Sequence, residues 1–278
     1  MKSVVHLATS DKTGGAAIAA WRLHLGMRNL GVDSRVVSRH RTCDSAEVSC
    51  VSTPLFEAAD LFHHGRVVPA QPPDATLFSL SPVSLPILDH PWIAAADIIH
   101  LHWVAHFLTP EDIASLCSAG KTVFWTFHDQ WPYTGGCHYV AGSNRSEDDW
   151  DGSAQIGQSI HALAKMERQR KKQAFAEAPI HVIAPSHWMA EEAVASGIFT
   201  PEQIQISSYG IDTSNFHPSD LSSMLLNRSN LNSGPDFCLS KTSSNQDTPP
   251  IPPNLPPLSQ HRLNTQFDED RSPYKYQR

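Results

Sequence analysis

Lys121 to Tyr139 reads KTVFWTFHDQWPYTGGCHY, an apolar run of strand type that breaks into a His-Asp pair, two aromatics and a double glycine. Thr122 to Phe127 is short, β-branched and aromatic, the pattern of a strand buried on both faces of a parallel sheet. His128 and Asp129 fall at its carboxyl end, where open α/β sheets bind ligands, so the pair is a site candidate. Neighbours on a strand point to opposite faces, which predicts His128 toward a cleft and Asp129 capping or turning the chain, not a catalytic dyad.

The flanking sequence alternates strands and helices. Ser3 to Ala8 reads as a first buried strand, followed by the loop SDKTGG and by apolar residues at 16, 19, 20, 23, 27 and 30, a helical spacing from Ala16 to Leu30. Gly31 stops that helix, and Asp33 to Ser38 supplies a second strand, completing a βαβ unit. Residues 39–91 are less regular, with apolar pieces at Val48 to Val51 and Leu55 to Phe62. Asp97 to Trp103 (DIIHLHW) is a strand, and Thr109 caps a helix to Ala119 that begins with Pro110, Glu111 and Asp112. Beyond a loop from about Gly135 to Gly152, Gln155 to Ala178 is helical, and its cationic half KMERQRKK reads as a solvated face. Ile180 to Ala184 is a strand, Ser186 caps a helix through Ala195, and Gln203 to Ser207 is a last short strand. The alternation predicts an α/β fold, a Rossmann-like parallel sheet flanked by helices.

Past Pro218 the composition changes. Residues 219–278 hold one glycine, one glutamate and eight prolines, several in TPPIPPNLPP, which predicts a disordered Pro/Ser/Asn-rich tail behind a folded domain of residues 1–218. The formal net charge of −7 argues against a protein held to nucleic acid by phosphate contacts. No apolar run approaches the roughly 18 residues of a membrane span, and the run Val4 to Ala8, interrupted by His6, is too short for a signal peptide core. Five cysteines without a CxxC pair read as free thiols in a reducing cytoplasm.

Three constellations bear on chemistry. Gly14 and Gly15 stand between the first strand and the first helix, where a phosphate or sugar can approach backbone N–H groups; a tight turn without ligand fits as well. The motif is not GxGxxG, and Ser38-Arg39 stands where a dinucleotide site wants a carboxylate. His100, His102, His106, His128 and His138 raise the question of a metal, since His100 and His102 share one face of a strand; without a companion such as HExxH, no metal is expected. Trp125, Trp131, Tyr133 and Tyr139 suit packing and, around a cleft, stacking on a sugar ring.

Taken in order, HLATSDKTGGAAIAAWRLHLGMRNLGVDSRVV, DIIHLHWV, FWTFHDQWPYTGGCHY, APSHW and YGIDTSNFHP resemble the N-terminal half of glycosyltransferase family 4, retaining enzymes of the GT-B fold, over about residues 3–218. The resemblance implies that Gly14 and Gly15 face the donor diphosphate and acceptor, that His128 is the catalytic cleft histidine contacting the reacting sugar, and that Ser186 starts a helix lining the cleft. His102 matches the family's HLHW-like strand, and Asp129 belongs to the same binding wall. It also implies transfer of a sugar from a nucleotide-sugar donor to a glycan or lipid-linked acceptor, as in polysaccharide biosynthesis, with no cofactor and no metal, in a cytoplasmic protein that spans no membrane but could attach to one peripherally.

The sequence departs from the family where the segment SNRSEDDWDGSAQIG (Ser143 to Gly157) keeps Trp150 but holds no cysteine, and where Ser208-Tyr209-Gly210-Ile211-Asp212 replaces a PNGID-like hinge. The family's donor-binding domain carries paired glutamates, and a tail with only Glu269 does not supply them. The expectation is therefore a protein truncated or frameshifted near Pro218 and inactive alone. The alternatives are a stand-alone acceptor- or partner-binding module completed in trans by a donor domain and, more remotely, an NAD(P)-binding oxidoreductase.

Overall fold

Apolar residues alternate along the central strands and meet on one face of a sheet: Val5 and Leu7, Ile99 and Leu101, Val123 and Trp125, Ile180, Val182 and Ala184. The computed structural model that shows this describes residues 2–67, 77–140, 158–211 and 213. Strands β1 (Ser3–Ser10), β2 (Asp33–His40), β3 (Val48–Cys50), β4 (Ile98–Leu101), β5 (Thr122–Thr126), β6 (Ile180–Ala184) and β7 (Ile204–Ile206) form one sheet in the order β3-β2-β1-β4-β5-β6-β7. Every pairing is parallel. The helices are α1 (Gly15–Asn29), α2 (Pro54–Val67), α3 (Pro91–Ala95), α4 (Pro110–Ser118), α5 (Gln158–Phe175) and α6 (His187–Ala195). The protein is thus an α/β, Rossmann-like domain.

Strand order reverses between β1 and β4, since the chain runs outward to β3 and then returns to the other side of β1. In open α/β sheets the crevice outside the carboxyl ends at such a reversal is the ligand position. Gly14, His102 and His128 lie just beyond the carboxyl ends of β1, β4 and β5.

Most helix ends follow local chemistry. Thr109 and Asp112 form a reciprocal capping box on α4: the Thr109 hydroxyl accepts from Asp112 N at 3.0 Å, and the Asp112 carboxylate accepts from Thr109 N at 2.9 Å. Ser186 caps α6 by accepting from Met189 N at 3.2 Å. Within residues 39–91, α2 forms around a charge cluster and not around a regular apolar stripe. Arg39, buried at the end of β2, donates to Asp60 at 2.8 Å, to Glu57 at 2.6 and 3.0 Å, and to the carbonyl of His106. A buried guanidinium needs such complete pairing.

The cationic half of α5 is not wholly solvated as its charge run predicts. Lys171 is fully buried beneath the turn Trp131–Tyr133, donating to the carbonyls of Trp131 (2.6 Å) and Thr134 (3.2 Å), with its ammonium 3.7 Å from the Trp131 ring centroid. Arg170 pairs with Glu111 and Glu167, while Lys165 and Lys172 are exposed. The backbone carbonyls of a loop, invisible to helical periodicity, draw Lys171 inward.

Burial pushes the Lys171 ammonium down to about 8, against the pull of Glu167 and Asp129. The unfolded chain keeps that proton to about pH 10.4. Between these values the unfolded state binds more protons, so stability should rise with pH, by about 1.4 kcal/mol per pH unit at most. Lys171→Met should remove that rise relative to the native chain in urea titrations between pH 8 and 10; parallel profiles would show that Lys171 does not titrate low.

The chain divides into Met1–His217 and Pro218–Arg278. The second unit, including the expected tail at 219–278, lies outside the described residues, as do residues 141–157, which hold most of the expected loop and the expected start of the following helix. Among the described residues no helix is long and apolar enough to cross a membrane.

Candidate active-site cleft

Strand alternation that sends the apolar residues to the main core sends His6, His100, Thr126 and the following His102 and His128 to the other face. There the side chains join. His102 Nε2 stands 3.0 Å from His6 Nδ1, and its Nδ1 stands 3.2 Å from His128 Nε2. His128 Nδ1 reaches the Tyr209 hydroxyl at 2.9 Å, and the two rings stack with centroids 5.3 Å apart and planes 4° from parallel. His100 Nε2 is paired with Thr126 Oγ1 at 2.8 Å.

Burial keeps these imidazoles neutral. It pushes His100 and His128 down to about 4, with Asp129 pulling His128 the other way, and it holds His6 and His102 well below the usual histidine range, reinforced by neighbouring histidines. A neutral imidazole has one N–H, so the direction of each bond fixes the next. The Tyr209 hydroxyl lies 3.2 Å from the Phe127 carbonyl and donates to it. His128 Nδ1–H then donates to Tyr209, His102 Nδ1–H to His128 Nε2, and His6 Nδ1–H to His102 Nε2. At the end of this chain His6 Nε2 is left over, buried and without a partner.

Asp129 turns the other way and holds the loop together. Its Oδ1 accepts from Trp131 N at 3.0 Å, and its Oδ2 accepts from Trp103 Nε1 at 2.7 Å and from His138 Nδ1 at 2.5 Å. Burial raises the carboxyl, but the charge and hydrogen bond of His138, with those from Trp131 and Trp103, outweigh it and hold the group ionised. His138 Nε2 continues to Ser79 Oγ at 2.9 Å. This Asp-His-Ser order resembles a hydrolase relay, yet Ser79 and His138 are both 0 % exposed, so no substrate carbonyl can reach the hydroxyl. The relay is a structural bolt: Trp131 Nε1 also donates to the Ser79 carbonyl at 2.9 Å, and Ser79 N donates to that of Gly136 at 2.9 Å.

At the end of β1, Asp11 accepts from Thr42 N and Cys43 N, each at 2.9 Å, and from the Thr42 hydroxyl at 2.7 Å, which orders the loop into α1. Gly14 caps α1 at φ 91°, ψ 162°, where a side chain would be strained. No side chain caps this helix start, and a Cβ at Gly14 or Gly15 would meet nothing within 4 Å. First-turn N–H groups are thereby open to an anion approaching α1. Ser186 is exposed and already engaged as a cap.

The structure therefore brings His102 and His128 into one chain of hydrogen bonds, puts Asp129 behind them in the loop, and sets Gly14, Gly15 and Ser186 at the starts of two helices. His106 belongs elsewhere, with φ 61° beside Asp60 and Arg39, and His138 belongs to the loop bolt. Sequence reading missed His6 and Tyr209. His6 was visible only as a polar interruption in an apolar strand, and Tyr209 as a departure from a hinge motif. Nor does the end of β2 offer a carboxylate to a dinucleotide ribose, since Arg39 there is consumed by Glu57 and Asp60.

The fold is a parallel α/β sheet whose strand order reverses between β1 and β4, with the histidine chain at that reversal. The sequence pattern of Glycosyltransferase Family 4 matches residues 13–215, and the chain belongs to that family. Among solved structures it is similar to Anabaena Alr3699/HepE, crystallised with UDP and glucose, at 15% identity and a TM-score of 0.36, covering 83% of this chain and 50% of that one. It is also similar to MoeE5, in complex with UDP-glucuronic acid and NAD, at 17% identity and a TM-score of 0.26, covering 66% of this chain and 53% of that one. A short chain dehydrogenase family protein from Francisella tularensis subsp. tularensis SCHU S4 matches at 9% identity and a TM-score of 0.26, covering 73% and 80%. The chain spans about half the length of the first two. A comparison with curated proteins gives no match.

Proposed function

We propose that residues 1–218 form the acceptor-side wall of a retaining sugar transferase that uses a nucleotide-sugar donor and a glycan or lipid-linked acceptor. The observation that carries this reading is His128: neutral, half-buried at the carboxyl end of β5, and held in one tautomer by His102 and Tyr209. Both ring nitrogens are engaged in that chain, so a sugar hydroxyl meets His128 by taking the place of Tyr209 at Nδ1, where the N–H held by His102 is a donor of fixed direction at little entropic cost. Gly14 and Gly15 offer the open start of α1 to the diphosphate, whose departure through an oxocarbenium-like state needs positive potential. Asp129 keeps the loop that carries His128 in place, and Ser186 sets the start of α6 along the cleft. Transfer needs no cofactor or metal in this scheme. We place the protein in the cytoplasm, where nucleotide sugars are available.

A second, donor-binding domain completes such a cleft, so residues 1–278 alone should transfer little or no sugar. The full chain, assayed with uridine, guanosine and adenosine diphosphate sugars, is expected to gain turnover when a family donor domain is added in trans. His128→Ala should then lower turnover at least about tenfold, the size of one lost transition-state hydrogen bond. Unchanged turnover in that variant would remove His128 from the reaction. Turnover by the chain alone would refute the need for a second domain while leaving the His128 test intact.

A further inference from the structure

Of the cluster His6, His100 and His102, the transfer scheme uses His102 alone, through the nitrogen it turns to His128. His6 and His100 are register partners on adjacent strands, and His102 follows His100 on the same face. One ring nitrogen from each lies within 4.8 Å of one from each of the others. The rings of His100 and His102 stack at 4.4 Å between centroids, with His6 at 5.2 and 5.3 Å from them.

From this geometry we propose that His6, His100 and His102 are a binding site for one divalent transition-metal ion of the zinc type. Neutral imidazoles are ligands for zinc, copper, nickel and iron, and a three-histidine set with an open fourth position is an established zinc arrangement. Metal-bound histidines use their second nitrogen in a fixed hydrogen bond, and two of these already do so. His102 commits Nδ1 to His128 and His100 commits Nε2 to Thr126, which leaves Nε2 and Nδ1 respectively for an ion. Metal–nitrogen bonds of about 2.0–2.1 Å at tetrahedral angles separate ligand atoms by roughly 3.3 Å. The 3.0 Å between His6 Nδ1 and His102 Nε2 therefore suits two ligands of one ion as well as it suits a shared proton. His6 can release Nδ1 by moving its proton to Nε2, the buried nitrogen that otherwise has no partner. No atom other than that proton has to move between groups. A set of three imidazoles offers no oxygen ligand and so does not suit magnesium or calcium, which take oxygen.

The site does not depend on the transferase reading. Its test is titration of the full chain, stripped by a chelator, with cobalt(II), followed by visible absorption and by metal analysis of the zinc-reconstituted protein. One saturable equivalent with the absorption of four-coordinate cobalt is expected, and His6→Gln should lose at least tenfold in affinity while His181→Gln, at an exposed strand position, keeps it. No tight equivalent, or undiminished binding in His6→Gln, would overturn the proposal and leave a proton-sharing chain. Should His6→Gln fail to fold, X-ray absorption on the zinc-loaded native chain decides: three imidazoles support the site, and fewer than three, or thiolate ligation, refute it.

Discussion

Alanine at Asp129 is expected to destabilise the domain by about 3–5 kcal/mol, since it leaves three buried donors without their acceptor at about 1–3 kcal/mol each. Three donors converge on this carboxylate: Trp131 N at 3.0 Å, Trp103 Nε1 at 2.7 Å and His138 Nδ1 at 2.5 Å. His138 is fully buried, so its freed nitrogen has no water to replace the lost acceptor. Asp129→Asn keeps an oxygen for Trp131 N but loses the charge, and should lose about 1–3 kcal/mol. Urea unfolding at pH 7 checks both. A Asp129→Ala chain within 1 kcal/mol of the native one would show that the loop is held by packing alone. The carboxyl is held below its ordinary value in the folded state. Its contribution is therefore present above about pH 4 and lost as pH falls through the folded value, so Asp129→Asn should flatten the acid limb of the stability profile.

Gly136→Ala should have an effect of similar size for a steric reason. Gly136 has φ 126°, and a Cβ there would stand 2.7 and 2.9 Å from Phe78 ring atoms and 2.9 Å from the Ser79 carbonyl. Phe78 is buried, and the Ser79 carbonyl is held by Trp131 Nε1 at 2.9 Å. Neither can retreat without breaking the strand-like contact in which Ser79 N donates to Gly136 O and His138 N to Leu77 O. Backbone strain of about 1–3 kcal/mol and overpacking of about 1–3 kcal/mol give an expected loss of roughly 2–6 kcal/mol. Gly26→Ala within α1, where a Cβ meets nothing within 4 Å, serves as the control and should be neutral or stabilising. Equal unfolding midpoints for the two variants would refute the close approach at Gly136.

Both residues lie in the segment that sequence reading already singled out, although for different reasons. Lys121 to Tyr139 announced a strand end with a polar pair, and alternation separated His128 from Asp129. It could not show that Asp129 meets His138 nine positions on, or Trp103 and, through His138, Ser79 from other parts of the chain. Those partners belong to no periodic pattern. In the same way, KMERQRKK carries the charges of a solvated helix, and only the loop above it makes Lys171 a buried donor.

By itself the sequence determined the order of strands and helices outside β3, α2 and α3, because those elements rest on local causes: apolar period, capping chemistry at Thr109 and Ser186, and glycine stops. It also determined family membership, carried by motifs in series. Tertiary structure alone decided which strands are neighbours, and with them the reversal between β1 and β4. That pairing aligns His6 with His100, sets His102 between His6 and His128, and draws Tyr209 onto the His128 ring. Register between distant strands is set by how the whole sheet buries its faces, a property that no single strand contains.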